Sequence, residues 1–290
     1  MESNDRMIFI LGNPRSGTSL LRIILSSHSK ICIPPECGFM QWWWDKYKNW
    51  NKADSNSKEL VSNFLVDLAT SKKIETWRLN YQELRDLILK DRPDDYADLC
   101  KTVVKQYAKQ KGKQPIILGD KNNYYINHLD FLKMAFKRAY FLGIIRDGRD
   151  VACSYLDLGK IPDLKYKPEL STDIEQIALE WKSNNERILD FLDSAGKENG
   201  SIVRYEDLVL FPEMTIRQVC ANLSMDFETN MLNYYEHDLE PTEFLAWKQK
   251  TKQKPDATNI GKYLNQLSSA DIACFNKISQ SLLLRFNYQL

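Results

Sequence analysis

Histidine is scarce in this chain of 290 residues: His28, His128 and His237 are the only three. They form no HxxxH or HExxH pattern and no Cys/His cluster, and the acidic residues lack EF-hand spacing, so no metal site is expected. His28 ends one helical pattern and His128 falls in another beside Leu129 and Phe131; both read as structural. Cysteine is sparse too, at positions 32, 37, 100, 153, 220 and 274, with no CxxC pair. That excludes a zinc ribbon or a disulfide-stapled secreted domain and fits free thiols in a reducing cytosol. Net charge is nearly absent, with 40 Lys and Arg against 39 Asp and Glu, so no global field exists to grip nucleic acid. No apolar run is long enough to span a bilayer. Residues 1–6 carry acidic groups and no basic n-region, and Met7–Leu11 is too short for a signal peptide. A cytoplasmic location follows as an expectation. There is no internal repeat, and no Pro/Gly/Ser-rich linker divides the chain. One domain over 1–290 is therefore expected.

What is present is a globular composition, 43% hydrophobic and 27% charged. Met7–Leu11 is a wholly apolar run closed by Gly12, as a buried strand should be, and Thr18–Ser27 follows at helical spacing. Further strands are expected at 31–33, 115–118, 140–145 and 202–205. Helices are expected at about 147–158 and at 171–192, the latter capped by Ser171 or Thr172. From about 38 to 111 the pattern is helical throughout. Strands separated by helices predict an α/β fold: a three-layer, P-loop-like parallel sheet flanked by helices, with a helical insertion at about 38–111. Ligands of such sheets sit at the carboxyl ends of the strands, and the acceptor side is expected to draw on the insertion.

Two motifs lie at those ends. Gly12-Asn-Pro-Arg-Ser-Gly-Thr-Ser19 follows a strand and opens a helix, an anion cradle with the spacing of GxxxxGK[ST]. Thr18 replaces the lysine that reaches the β- and γ-phosphates of a nucleoside triphosphate, so a shorter anion with a single 5′-phosphate fits better. Arg15 brings positive charge earlier in the loop. The second motif, Arg146-Asp-Gly-Arg-Asp-Val151, ends another apolar run, and Ser154 lies about two helical turns on. A guanidinium and a hydroxyl so placed can hold another phosphate, although an Arg146–Asp150 ion pair would use the same residues structurally.

Together these segments resemble the two donor-binding signatures of the sulfotransferase family, whose donor is 3′-phosphoadenosine-5′-phosphosulfate (PAPS) and whose product is adenosine 3′,5′-bisphosphate. The resemblance implies that Arg15, Ser16, Gly17, Thr18 and Ser19 bind the 5′-phosphosulfate end and that Arg146 and Ser154 bind the 3′-phosphate. Val203-Arg-Tyr-Glu-Asp-Leu208 is similar to the family segment whose Tyr lies near adenine, which implicates Tyr205. Asn259-Ile-Gly-Lys-Tyr263 is similar to the segment that closes over the 3′-phosphate, which implicates Gly261 and Lys262.

The base is implied in the same way. Cytosolic small-molecule members place a His two residues after a strand-end Lys; the comparable residues here are Lys121 and Asn123, and Asn cannot accept a proton at neutral pH. Tyrosylprotein and some glycan sulfotransferases use a Glu after the first helix and the second short strand, where this chain has Pro34-Pro-Glu36. Glu36 is the implied base, with Lys121 and Arg15 as the implied cations on the transferring group. The run Trp42-Trp-Trp44, with Tyr47 and Trp50, reads first as packing and second as an acceptor wall. The implied reaction is sulfuryl transfer from PAPS to a hydroxyl or amine of a glycan, lipid, peptide tyrosine or small molecule. The alternatives are a P-loop kinase or NTPase and a non-catalytic nucleotide-binding module. Oligomeric state is left open.

Overall fold

The computed structural model describes residues 6–237 and 239–290. The first five residues, on which the reading of the N-terminus rests, lie outside the described residues. Among those described, no helix is long and apolar enough to cross a membrane.

Five parallel strands form the sheet: β1 (Arg6–Leu11), β2 (Ile31–Cys32), β3 (Ile117–Lys121), β4 (Tyr140–Ile145) and β5 (Gly200–Arg204), in the order β2-β3-β1-β4-β5. β1 lies at the centre with both faces covered, which is why it reads as an unbroken apolar run. Its side chains still divide by face: Met7, Phe9 and Leu11 join one core cluster, and Ile8 and Ile10 join another. Phe9 sits in an aromatic nest with Tyr125, Phe136 and Phe141. The chain crosses from β1 to one side for β2 and β3 and to the other for β4 and β5, so the turn after Leu11 is a topological switch point. Register completes the placement. Ile10 pairs with both Lys121 and Leu142, and Ile145 pairs with Arg204, so Lys121, Gly12, Arg146 and Tyr205 all emerge at one edge of the sheet.

Several boundaries differ from those expected. The strand expected at 115–118 runs from Ile117 to Lys121. Two polar residues at its end, Asp120 and Lys121, hid it, and both are buried because partners satisfy them. Gly119 allows the close pairing, since a Cβ there would lie 2.7 Å from the Ile8 carbonyl oxygen. The long helix begins at Ile174; Asp173 is its cap and accepts from the Gln176 amide at 2.8 Å, so Ser171 and Thr172 precede it. β5 ends at Arg204, and Tyr205 opens the next helix.

The region between β2 and β3 is helical, with Lys58–Ala69, Tyr81–Asp91 and Tyr96–Gln110 its longest helices. Ser57, Asn80 and Asp95 cap these three through their side chains. The tryptophan run is split between two short helices, Phe39–Trp42 and Trp44–Tyr47. Trp44 packs on Tyr96 and Phe131, while Tyr47 and Trp50 pack on Phe64. The Trp43 indole donates to Ser71, and Trp42 covers Gly38. The run therefore serves packing within this region.

Asp120 yields a stability prediction. Its carboxylate accepts from the Tyr125 hydroxyl through one oxygen, and the other has no partner among the described residues. Burial pushes the carboxyl up to about 7, against an ordinary 3.8. A raised carboxyl pKa contributes stability below the unfolded value and loses it as pH rises through the folded one. Asp120→Asn should match the wild type in urea midpoint near pH 4 and exceed it at pH 8, by on the order of 4 kcal/mol. A difference independent of pH would refute this account.

Candidate active site

The turn after β1 is held from behind and open in front. Gly17 has φ 99 and Arg15 φ 66, so two left-handed residues fold the loop back on itself before the helix Thr18–Ser26. A Cβ on Gly12 would meet Thr18 at 2.7 Å and the Ile144 carbonyl oxygen at 2.9 Å, and one on Gly17 would meet the Tyr205 ring at 2.6 Å. Asn13 anchors the loop: its amide donates to Pro14 O at 2.9 Å and Tyr155 Oη at 3.1 Å, and its oxygen accepts from Asn184. The Ser16 amide donates to Asn13 O, while its buried Oγ has no partner among the described residues. Thr18 Oγ1 donates to Asn123 Oδ1 at 3.2 Å, which joins the loop to the end of β3.

Two guanidinium groups stand at this turn. Arg15 donates Nε to Ser154 Oγ at 3.1 Å and Nη2 to Trp247 O at 3.3 Å. Burial, together with the like charge of Arg146, pulls its pKa below the usual arginine value. Arg146 donates Nη1 to Arg15 O and Nη2 to Asn259 O, lies 4.3 Å over the Tyr205 ring, and keeps a buried Nε without a partner. Among the described residues neither is in a salt bridge with a carboxylate. The Arg146–Asp150 ion pair is not formed. Asp150 instead accepts from the Gly261 and Tyr263 amides, and so fixes the 259–263 segment against Arg146. The neighbouring Arg149 pairs with Asp147 at 2.7 Å and stacks on Tyr263, a structural use of the same motif.

Glu36 sits across the cavity between two lysines. Lys73 binds one of its oxygens and Lys121 the other, and Lys121 is almost fully buried. Burial alone would raise this carboxyl, but the ammonium groups of Lys121, Lys73 and Lys248 outweigh it and hold the pKa well below the usual carboxylate range. A second cluster adjoins it. Glu240, fully buried, binds Arg22 with one oxygen and Lys248 with the other, the latter at 2.6 Å. Arg22 also donates to Ile33 O and Leu239 O, tying the loop before Glu36 to the segment that carries Glu240.

Arg15, Arg146, Glu36, Lys73, Lys121 and Lys248 border one cavity of about 410 Å³; Glu240 and Arg22 are not in its lining. Of the residues singled out by sequence, Arg15, Gly17, Thr18, Ser19, Glu36, Lys121, Arg146, Ser154, Tyr205 and Lys262 line it; Ser16 and Gly261 do not. Lys262 lies 3.3 Å from Asp157 at the rim. The helical region contributes only Lys73. The rest of the cavity's lining includes Leu158, Ile161, Tyr166 and Pro168 and Phe244, Trp247 and Lys248. No periodicity marks these segments. The one available signal was the basic run from Lys248 to Lys254 just ahead of Asn259.

Residues 7–229 match the family model described as the sulfotransferase family. Protein-tyrosine sulfotransferase A of Caenorhabditis elegans is 25% identical over 234 residues, covering 78% of this chain and 52% of that protein, so the chain spans about half of that relative's length. The sulfotransferase domain of the Synechococcus PCC 7002 olefin synthase superposes with a TM-score of 0.63 at 23% identity, covering 100% of this chain and 97% of that one. Mouse sulfotransferase SULT7A1, solved in complex with PAP, superposes with a TM-score of 0.54 at 12% identity, over 97% of this chain and 85% of that one.

The glycine geometry generates a test. Gly17→Ala combines a left-handed φ with a clash against Tyr205, whereas Gly112→Ala has a left-handed φ of 67 and nothing within 4 Å. Each should lose about 1 kcal/mol to backbone strain. Only Gly17→Ala should also lose affinity for adenosine 3′,5′-bisphosphate, measured by calorimetry. Equal affinities in the two variants would mean that the loop does not cradle the ligand.

Proposed function

This chain belongs to the sulfotransferase family, and from that premise we propose that it moves a sulfuryl group from PAPS to a hydroxyl or amine of an acceptor, with Glu36 as the group that takes the acceptor's proton. The observation that carries this reading is the pair of guanidinium groups, Arg15 and Arg146, which among the described residues have no carboxylate salt-bridge partner where the P-loop opens onto the cavity. Asp157 and Asp150 act on them without forming salt bridges; buried cations so weakly paired are costly, and a polyanion seated against them removes that cost. Arg146 Nε, buried and without a partner among the described residues, supports the same fit.

When bound, PAPS supplies the sulfuryl group and an adenosine 3′,5′-bisphosphate leaving group. The amides of Gly17, Thr18 and Ser19 and the hydroxyls of Thr18 and Ser19 hold its 5′-phosphate at the helix N-terminus. Arg146 and Ser154 hold the 3′-phosphate, with Gly261 and Lys262 closing over it and Tyr205 beside the adenine. Arg15 and Lys121 neutralise the charge that develops on the transferring group and the bridging oxygen. Glu36 and the lysines around it orient the acceptor for in-line attack. The aromatic wall of Tyr166, Phe244 and Trp247 receives the acceptor's apolar body. Acceptor class is tested with ³⁵S-labelled PAPS against 4-nitrophenol, a tyrosine peptide, a glycan and a long-chain alcohol. The peptide is included because of the worm relative's name.

Two measurements bear on this reading. Charged hydrogen bonds to the second phosphate contribute roughly 1.5–3 kcal/mol, so adenosine 3′,5′-bisphosphate should bind at least about tenfold more tightly than AMP. Equal affinities by calorimetry would remove the donor assignment. Glu36→Gln should lower kcat by about 10²–10⁴-fold while bisphosphate affinity is nearly retained. Near-normal turnover in that variant would dismiss Glu36 as the base.

A further inference from the structure

Glu36 has both oxygens engaged by lysine ammonium groups. A carboxylate so placed can relay a proton but is a poor place to keep one. Lys73 and Lys121, its two partners, hold it as ammonium donors. The adjoining cluster is arranged differently. Glu240 is already neutralised by Arg22, which cannot give up its proton. The ammonium of Lys248 on its other oxygen is therefore surplus charge in a buried site. Across the two clusters the cations Lys73, Lys121, Lys248 and Arg22 outnumber the carboxylates Glu36 and Glu240. Lysine is the side chain that sheds its proton when such an excess is taken out of water.

Resting on the reading of Glu36 given above, we propose that Lys248 is a second proton-handling residue of the acceptor side, receiving as a neutral amine the proton that leaves the acceptor hydroxyl. The oxygen–sulfur bond forms as the bond from sulfur to the 5′-phosphate oxygen breaks, and that electron pair stays on the departing bisphosphate. The proton passes from the acceptor oxygen to Glu36 and on, across the cavity that both residues line, to Lys248 Nζ, which becomes ammonium and gives the proton to solvent after product leaves.

The surroundings of Nζ fit this role. It lines the same cavity as Glu36 and lies 4.7 Å over the Phe244 ring, and Glu240 is its only carboxylate hydrogen-bond partner among the described residues. The groups that bear on it are Glu240 with Arg22 behind it, and Lys121 with Glu36 and Lys73 beyond. Burial is the largest influence and, with the like charge of Lys121, it outweighs the two carboxylates and brings Lys248 down to about 8. The neutral amine is then a substantial fraction of the resting enzyme at mildly alkaline pH.

The first readout is direct. In protein labelled with ¹³C at the lysine ε-carbon, one resonance should titrate with a midpoint near 8 and be absent from Lys248→Arg. The second is the pH–rate profile for whichever of the four acceptor probes takes the label. The wild-type rate should rise through the same midpoint. Lys248→Met and Lys248→Arg should both lose that limb and be slowed by about 10²-fold or more, because arginine keeps the charge but cannot take a proton. Lys248→Arg also guards against a folding defect in Lys248→Met. If the arginine variant keeps the wild-type rate and limb, or if no Lys248-dependent resonance titrates below about 9, the proposal is wrong. Glu36→Gln run in parallel separates the two readings. A slow Glu36→Gln beside a normal Lys248→Arg retains Glu36 and removes Lys248; the reverse pattern removes Glu36 and leaves Lys248 as the direct acceptor of the proton.

Discussion

The carboxyl edge of this sheet takes more positive charge out of water than its carboxylates can neutralise. Arg15 and Arg146 meet there with backbone carbonyls and a serine for partners, and beyond them two glutamates are shared among three lysines and Arg22. Such an arrangement persists only where the rest of the fold holds it in place. The framework is the register of β1 with β3 and β4, which fixes Lys121, the P-loop and Arg146 within one edge, and the aromatic and aliphatic packing beneath it. A polyanionic substrate is the natural complement of that edge.

The parts of this design that the sequence made legible are those where local rules and tertiary need agree. β1 and β4 are apolar runs because both their faces are covered, and the P-loop is readable because its glycines serve backbone angles and close approach. Asp120 and Lys121 broke the apolar pattern of β3, because the partners that make their burial tolerable come from Tyr125 and from Glu36, the latter far away in sequence. The cap of the helix Ile174–Ala195 was displaced by one or two residues, since Ser171, Thr172 and Asp173 are all competent caps and only packing chooses among them.

The candidate site divides in the same way. The residues expected on the donor side lie at strand ends, in the turns after them or in the helices that follow, in recognisable motifs, and all but Ser16 and Gly261 border the cavity. Lys73, Glu240 and Lys248 belong to no motif, and their significance arises only when the chain brings them beside Glu36 and Lys121. The tryptophan run shows the converse: a conspicuous local feature whose rings are consumed by packing against Tyr96, Phe131 and Ser71.

The two ends of the cavity are built from unlike materials. The P-loop and strand-end groups are embedded in the sheet, and few of them can change without disturbing pairing or core. The opposite wall, from Leu158 to Pro168 and from Phe244 to Lys248, is made of loop and short-helix segments that carry no strand. Substitutions, insertions or deletions there would reshape that wall without disturbing strand pairing, as long as the Trp247 carbonyl keeps its place on Arg15. Under the transfer proposed above, a scaffold divided this way would let acceptor preference drift in evolution at little risk to folding, and it marks those two segments as the places to vary in a library meant to redirect that transfer.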